Sequence, residues 1–556
     1  MAAMLFLTMK THLTVLLLLL SLATFAVPAK RVWRTVRMTD GRECRVQLVG
    51  DEFHHYWLNE NDQRMEETEA GLFCISERSI VEPAAAQARR VQANARRERR
   101  RMEARGVATG RKRGIVILVE YTDKAMVHTQ QEFDAMFNEN NYNKNGHIGS
   151  LADYFYDQSY GQLSLQFDVV GPYTLSNTMA FYGKDSGGSG EDIRPGEMVA
   201  EAIMLADKAG TDFSRYDWNG DGCVDQVFVV YAGYGQAAGG PNNSIWPHEW
   251  DLTSALGSNI QLDGVTIDTY ACSSELKGGS GTRMDGIGTA AHEFSHCLGL
   301  PDFYDTSGAY SPAPGMDVWS LMDYGCYNNG GSVPCGYTAY ERWYSGWLTP
   351  TELDEGCMVE DMRPITETPE AYIIYNKANR NEYYILENHQ KQHDADSPYH
   401  PWNSYAPGHG MLVLHVDYDA TQWYDNTPNN VKSHQRMTIV PANGTFYFNS
   451  STRELAGHPY PGTSGNTSLT DTSKPAASLF NRNSDGKLFL NRPIEDIREE
   501  DGLISFRFNG GGETSVYPLL HQDSPKYDGI YNLAGQRIAR PPKGVYIENG
   551  KKRTHP

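Results

Sequence analysis

The feature that most constrains this chain of 556 residues is the stretch AHEFSHCLGLPDFYD, which spans residues 291–305. His292 and His296 are four residues apart, so on a helix they share one face and can direct both imidazoles at one point. Gly299 permits a left-handed turn that ends such a helix. Asp302 then lies where the returning chain can supply a third ligand. The spacing therefore predicts a helix, a glycine turn and a metal site built from three side chains.

The residue types of this stretch indicate which metal binds there. Two imidazoles and a carboxylate suit zinc, so Zn²⁺ is the predicted cofactor. Glu293 lies next to the first histidine, beside the metal position, where it can act as general base toward the attacking water. Glu341, in the sequence TAYERWYSGW, is a rival third ligand on a second helix. The glycine turn favours Asp302, because Gly299 would otherwise have no purpose.

A second motif, MDVWSLMDYG at residues 316–325, follows the histidine stretch. A zinc helix of this pattern followed by a methionine turn is the metzincin arrangement. Met322 is predicted to form an apolar floor beneath the metal. Tyr324 is predicted to be catalytic, by donating a hydrogen bond to the reaction intermediate or by binding the resting metal. An ordinary half-buried tyrosine is the alternative interpretation of Tyr324.

The chain resembles the M6 family of metalloproteases, the immune inhibitor A-like group, well beyond the zinc helix. The similar stretches begin with GSLADYFYDQSYG, DWNGDGCVDQVFV, IWPHEW and LENHQ, and they cover residues 149–173, 217–235, 245–250 and 386–419. The resemblance implies an α+β protein, with a metzincin-like catalytic domain followed by a β-rich domain. It also implies a secreted zinc endopeptidase that acts on proteins or peptides.

Composition and patterning divide the chain into six parts. These are a signal peptide at 1–29, a propeptide at 30–83, an arginine-rich linker at 84–113, the catalytic domain at 114–350, a β-rich domain at 351–512 and a tail at 513–556. Short strand-like runs separated by Gly, Pro and Asn predict an antiparallel β-sandwich-like fold for the β-rich domain.

The propeptide and linker predict that the enzyme is made as a zymogen. The linker, residues 84–113, has many arginines and no apolar face, so it is expected to be exposed and open to activating cleavage. A propeptide can block a protease by placing a ligand where the catalytic water would sit. Cys44 is one candidate for that ligand, and Asp40 and Asp51 are the oxygen-bearing alternatives.

The N-terminal sequence predicts where the protein is found. Residues 9–29 combine a lysine, an apolar run and small residues, which is typical of a signal peptide and predicts a secreted or surface-attached protein. No later segment is apolar enough for a transmembrane helix. The net charge of −20 argues against nucleic acid as a partner. Residues 528–552 resemble the sorting segments of type IX secretion substrates, which makes secretion machinery a candidate partner.

A second metal is predicted in the loop DWNGDGCVD at residues 217–225. Asp217, Asn219 and Asp221 have the one-three-five spacing of an EF-hand-type calcium loop, and Asp225 takes the ninth position, so Ca²⁺ is the predicted ion. The twelfth position departs from the pattern because it is not a glutamate. A solvated polar turn is therefore the alternative interpretation.

The eight cysteines of an exported chain permit disulfides. Cys326 and Cys335 flank a loop rich in Gly and Asn, and they are predicted to form a bridge.

Two other function classes remain open at this point. The chain could be a zinc amidase that acts on cell-wall peptides. It could also be an inactive protease homologue that serves as an adhesin or binding module, although the intact Glu293 argues against that hypothesis.

Overall fold

The structure is a computed structural model that describes residues 27–51, 54–68, 70–78, 108–185, 192–307, 312–392 and 394–511, together with the backbone of four short strands between 530 and 555. Most of the predicted signal peptide and most of the predicted linker lie outside the described residues.

Strands predominate over helices in the described chain. The strands are β1 Trp33–Arg37, β2 Glu43–Gly50, β3 His55–Asn59, β4 Arg64–Glu67, β5 Phe73–Ile75, β6 Gly110–Glu120, β7 Leu163–Thr174, β8 Val227–Tyr234, β9 His248–Asp251, β10 Ile260–Leu262, β11 Val265–Ile267, β12 Thr269–Leu276, β13 Thr351–Glu352, β14 Cys357–Met362, β15 Ala371–Asn376, β16 Asn379–His389, β17 Gly410–Asp417, β18 Met437–Ile439, β19 Ile494–Glu500, β20 Leu503–Phe508, β21 Ile530–Tyr531, β22 Arg537–Ile538, β23 Gly544–Glu548 and β24 Lys551–His555.

The α-helices are shorter and lie mainly between the strands of the first half. They are α1 Gln130–Asn138, α2 Leu151–Gln158, α3 Met179–Tyr182, α4 Pro195–Lys208, α5 Leu252–Leu256, α6 Ile287–Cys297, α7 Ala339–Tyr344, α8 Ala420–Tyr424 and α9 Thr452–Leu455.

Strands β1 to β5 form a sheet in sequence order near the N-terminus, with antiparallel neighbours throughout. Trp57, Met65 and Phe73 are buried on this sheet and belong to the same apolar cluster as the core of the following region. The sheet therefore packs against the rest of the protein through apolar side chains.

A five-stranded sheet of order β7-β6-β8-β12-β9 organises the next region. Its first four strands are parallel and β9 is antiparallel. Strand β6 has a continuous buried run from Ile115 to Val119, as expected for a parallel strand covered on both faces. Val116 and Leu118 share an apolar cluster with residues of α1, α2 and α6. Helix α4 covers the opposite face, so α6 is held against one face of a rigid sheet.

The region after residue 350 contains two further sheets. One has the order β13-β15-β16-β17-β18 and the other has the order β14-β20-β19. Ile374 and Leu386 of the first sheet share a buried cluster with Phe506 of the second. The opposite face of the first sheet, which includes Ile385 and Leu414, belongs to the apolar cluster that contains α6. This packing brings the second half of the chain close to the end of α6.

The mixed α and β class is confirmed, whereas the metzincin-like and sandwich-like assignments remain predictions. The predicted disulfide between Cys326 and Cys335 is wrong, because both residues are free thiols. Cys326 lies against His292, while Cys335 fills the space beside Gly325. Among the described helices, none is long and apolar enough to cross a membrane.

Candidate metal centre

Helix α6 carries the two histidines and is buried from Ile287 to His296. Phe294 anchors it by packing against Phe155, with the ring centroids 4.8 Å apart. The predicted left-handed turn is confirmed, because Gly299 has a φ of 89°. The amide of Gly299 donates to the carbonyl of His296 at 2.8 Å, which ends the helix. The chain then turns back toward the helix face that bears the histidines.

This reversal brings His292, His296 and Asp302 together. The Nε2 atoms of the two histidines are 3.2 Å apart, and Asp302 Oδ1 lies 3.1 Å from the first and 3.6 Å from the second. Bond lengths of about 2.0–2.1 Å at tetrahedral angles place zinc ligands roughly 3.3 Å from one another. Within the described residues, these three side chains are the one group of His, Cys, Asp or Glu that converges in this way. Their spacing fits a zinc ion.

The other nitrogen of each histidine is held by a backbone carbonyl. His292 Nδ1 lies 2.8 Å from the carbonyl oxygen of Leu321, and His296 Nδ1 lies 2.9 Å from that of Leu300. Since a carbonyl can only accept, each Nδ1 carries the proton and each Nε2 keeps a lone pair for a metal. The carbonyl of Leu321 belongs to the predicted methionine turn, so this turn orients one of the histidines.

Asp302 is oriented by Asn426, which the sequence did not reveal. Asn426 Nδ2 donates to Asp302 Oδ2 at 2.9 Å, and the amide of Asp302 donates to Asn426 Oδ1 at 2.7 Å. The two residues are 124 positions apart. Thr306 secures the same loop by donating to the carbonyl of Asn426 at 2.7 Å. The second half of the chain thus supplies a partner of the predicted ligand.

The electrostatics of the group favour a cation. Burial opposes protonation of His292, but hydrogen bonds and charges from Asp302 and Cys326 raise its pKa well above the ordinary value. The position between these side chains therefore has an excess of negative potential. A bound metal cation would satisfy that potential in place of the proton.

Glu293 is completely buried and lies against the N-terminal end of the described chain. Its Oε1 accepts a hydrogen bond from the amide of Val27 at 3.2 Å, across 266 residues of sequence. Trp246 Nε1 donates to the carbonyl of Val27 at 3.1 Å, and the Tyr327 hydroxyl donates to the carbonyl of Pro28 at 2.9 Å. Residues 27–31, which we term the blocking segment, thus lie across the predicted general base.

Tyr324 contacts the same blocking segment. The guanidinium of Arg31 stacks over the Tyr324 ring at 3.5 Å from its centroid, and it forms an ion pair of 2.8 Å with Asp317. Burial raises the pKa of Tyr324, and the Arg31 charge counteracts part of this rise. The predicted catalytic tyrosine is therefore covered in this state.

Glu341, the rival third ligand, lies outside the group of converging ligands. Its Oε1 accepts from the Ser320 hydroxyl at 2.7 Å, and its Oε2 accepts from the amide of Thr338 at 2.6 Å. It is thereby, as the third residue of α7, part of the capping box in which Thr338 is the N-cap. Burial raises its pKa, against the effect of these hydrogen bonds.

The three residues proposed as blocking ligands also lie outside that group. Cys44 directs its thiol to the carbonyl of Arg45 at 3.5 Å, Asp40 is paired with an exposed arginine, and Asp51 accepts from the amide of His54 at 3.1 Å. The sequence predicts a blocking contact made by a residue of the small N-terminal sheet or its turns. The structure places the residues before β1 on Glu293 instead.

The loop at residues 217–225 is organised by its own hydrogen bonds. Asp217 accepts from the amides of Gly220 and Gly222 at 2.7 and 2.9 Å, and Asn219 accepts from the amide of Asp221 at 2.8 Å. Burial raises the pKa of Asp225 to about 7, and repulsion from the neighbouring aspartates adds to the rise. Calcium at this loop remains a prediction.

The region that holds these side chains is similar in sequence to known proteins. Residues 108–348 match the family model described as the catalytic domain of immune inhibitor A peptidase M6, which confirms the resemblance to that family over this segment. Immune inhibitor A of Bacillus thuringiensis subsp. alesti is 26% identical over 290 residues, which are 43% of this chain and 41% of that protein. Pre-pro-metalloprotease PrtV of Vibrio cholerae serotype O1 is 30% identical over 242 residues, which are 39% of this chain and 25% of that protein. The chain thus matches less than half the length of either relative.

Proposed function

Because residues 108–348 are similar to M6 peptidase catalytic domains, we propose that this protein is a zinc-dependent endopeptidase that hydrolyses peptide bonds in proteins. The observation that carries the proposal is the convergence of His292, His296 and Asp302, which lie 3.1–3.6 Å from one another with Glu293 beside them on α6. Such a site binds a metal through three protein ligands and leaves a position for water.

The metal would supply the Lewis acidity that peptide hydrolysis needs. Residues of the chain would bind the metal, orient its ligands and transfer the proton. His292, His296 and Asp302 would hold the ion, and Asn426 would keep Asp302 in its orientation. Glu293 would take a proton from the attacking water and pass it to the amine that leaves.

We further propose that the protein is made as a latent precursor and exported. The contact between the Val27 amide and Glu293 supports latency, because the blocking segment takes the place that a substrate would need. Val27 and Ala29 are buried at 0% and 2% exposure, so we propose that the signal peptide ends before Val27 and not at residue 29 as the sequence predicts. Cleavage within residues 84–113 would then separate the N-terminal sheet from the catalytic region.

The test is hydrolysis of casein by the full-length protein after brief treatment with an arginine-specific protease and removal of that protease, with and without a metal chelator. Glu293→Ala should keep the wild-type zinc content and lose at least about a hundredfold in rate, because it removes the base and no ligand. Glu355→Ala, an exposed site, is the matched control and should behave as wild type. Chelator-insensitive hydrolysis would contradict the proposal, and release of peptides from cell walls without casein hydrolysis would favour the amidase.

A further inference from the structure

The blocking segment ends in an arginine whose side chain enters a pocket of the catalytic region. Arg31 lies between the rings of Tyr324 and Phe448, with its guanidinium carbon 3.5 and 4.1 Å from the two ring centroids. Asp317 meets it at the end of the pocket, at 2.8 Å. The Arg31 side chain itself fills the space between these three residues. The pocket therefore accommodates a long side chain beside Tyr324.

Asp317 has one carboxylate oxygen that can accept a hydrogen bond from a group bound in this pocket. Its Oδ1 accepts from the amide of Val318 at 2.8 Å, whereas its Oδ2 faces Arg31. Nearby Asp323 is already occupied, since it accepts from the amides of Met316 and Asp317 at 2.8 and 2.9 Å. Asp317 is 1% exposed while Arg31 covers it, so its charge is paired in the precursor. Removal of the blocking segment would free this carboxylate to pair with a cation of the substrate.

The two rings determine which cation fits best. A planar guanidinium can stack on both aromatic faces and donate to the carboxylate at the same time, whereas a lysine ammonium is a compact, strongly hydrated charge. The pocket is thus more complementary to arginine than to lysine, and an uncharged side chain would leave Asp317 unpaired.

We propose that Asp317, Tyr324 and Phe448 form a substrate subsite that selects an arginine side chain, which Arg31 occupies in the latent precursor. The inference rests on the proposed endopeptidase function and adds the substrate class to it: polypeptides with an arginine at one fixed distance from the cleaved bond. The blocking segment contacts both Glu293 and this pocket. A substrate polypeptide bound in the same place could therefore contact both as well.

The test uses the full-length protein after activation and removal of the activating protease, incubated with a peptide library prepared from a whole proteome. Glu293→Ala treated in the same way gives the background of cleavage that does not depend on this site. Mass spectrometry of the products should show arginine enriched at one position relative to the cleaved bond. Two peptides that differ only by arginine or citrulline at that position should then differ at least tenfold in kcat/KM. Citrulline keeps the shape of arginine without its charge, so the ratio reports the contribution of Asp317.

Asp317→Asn should reduce this ratio to within twofold, and Phe448→Leu should reduce the preference for arginine over lysine severalfold. Asp501→Asn is the control, because both aspartates have a φ of 50° that asparagine tolerates, while Asp501 is exposed in the turn between β19 and β20. Its ratio should match wild type. Cleavage without arginine enrichment, or a ratio unchanged in Asp317→Asn, would overturn the subsite alone. Absence of any cleavage would overturn the proposed function and the subsite together.

Discussion

Replacement of Asn426 by glycine should weaken zinc binding although Asn426 is not itself a ligand. Asn426 makes two hydrogen bonds with Asp302, of 2.7 and 2.9 Å, and both residues are fully buried. Glycine is the informative substitution because Asn426 has a φ of 49°, at which alanine would add backbone strain. The change therefore removes the side-chain contacts and leaves the backbone conformation accessible.

The magnitude follows from the nature of the two bonds. A hydrogen bond to a charged acceptor contributes about 1.5–3 kcal/mol and one between neutral groups about 1 kcal/mol. Only the share of this hydrogen-bond free energy that orients the Asp302 carboxylate toward the metal affects the zinc affinity. Loss of such an orienting partner typically reduces metal affinity by about 10–100-fold, which corresponds to about 1.4–2.7 kcal/mol.

The assay is competition for zinc between the activated protein and a chromogenic chelator, which gives the dissociation constant directly. Zinc should also stabilise Asn426→Gly against thermal unfolding less than it stabilises the wild type, by a similar free energy. Asn429→Gly is the control: Asn429 is equally buried and donates to the carbonyls of Phe303 and Met437 at 2.7 and 2.6 Å. Asn429→Gly should lower the thermal stability of the protein without a comparable loss of zinc affinity. Wild-type zinc affinity in Asn426→Gly would refute the reasoning.

Three other outcomes are expected. Asp302→Ala should lose zinc as measured by metal analysis. Glu341→Ala should keep the metal and lose thermal stability, because Glu341 completes the capping box of α7 with Thr338; the reverse result would make Glu341 the ligand. Asp217→Ala and Asp221→Ala should remove the part of the thermal stability that depends on calcium, and an unchanged calcium dependence would identify an ordinary turn. The untreated full-length protein should have low activity that rises after cleavage within residues 84–113, as followed by N-terminal sequencing; full activity before treatment would exclude latency.

The local parts of the candidate site followed from the sequence. His292 and His296 share a face because the helix repeat places residues four apart on one side. Gly299 adopts its left-handed conformation because a residue without a Cβ does so at little cost. These effects depend on neighbours within about one or two helical turns, so the pattern of residue types is sufficient to predict them.

The contacts that connect distant parts of the chain could not be predicted. Asn426 reaches Asp302 across 124 residues, and Val27 reaches Glu293 across 266. Neither contact has a periodic signal, because each depends on how a sheet packs against α6. A side chain such as Cys44 is recognisable in the sequence as a possible metal ligand, whereas the segment that lies on Glu293 contacts it through an ordinary backbone amide.

The sequence alone thus determined the helix that carries His292 and His296 and the turn that returns the chain toward them, and it left Asp302 and Glu341 as alternatives for the third position. Tertiary structure alone decided that Asp302 and not Glu341 converges with the histidines, that Asn426 orients Asp302 and that Arg31 pairs with Asp317. The physical reason is the range of the interactions: helix periodicity and glycine conformations act between neighbours in the chain, whereas buried carboxylates acquire partners only when apolar packing brings remote segments together.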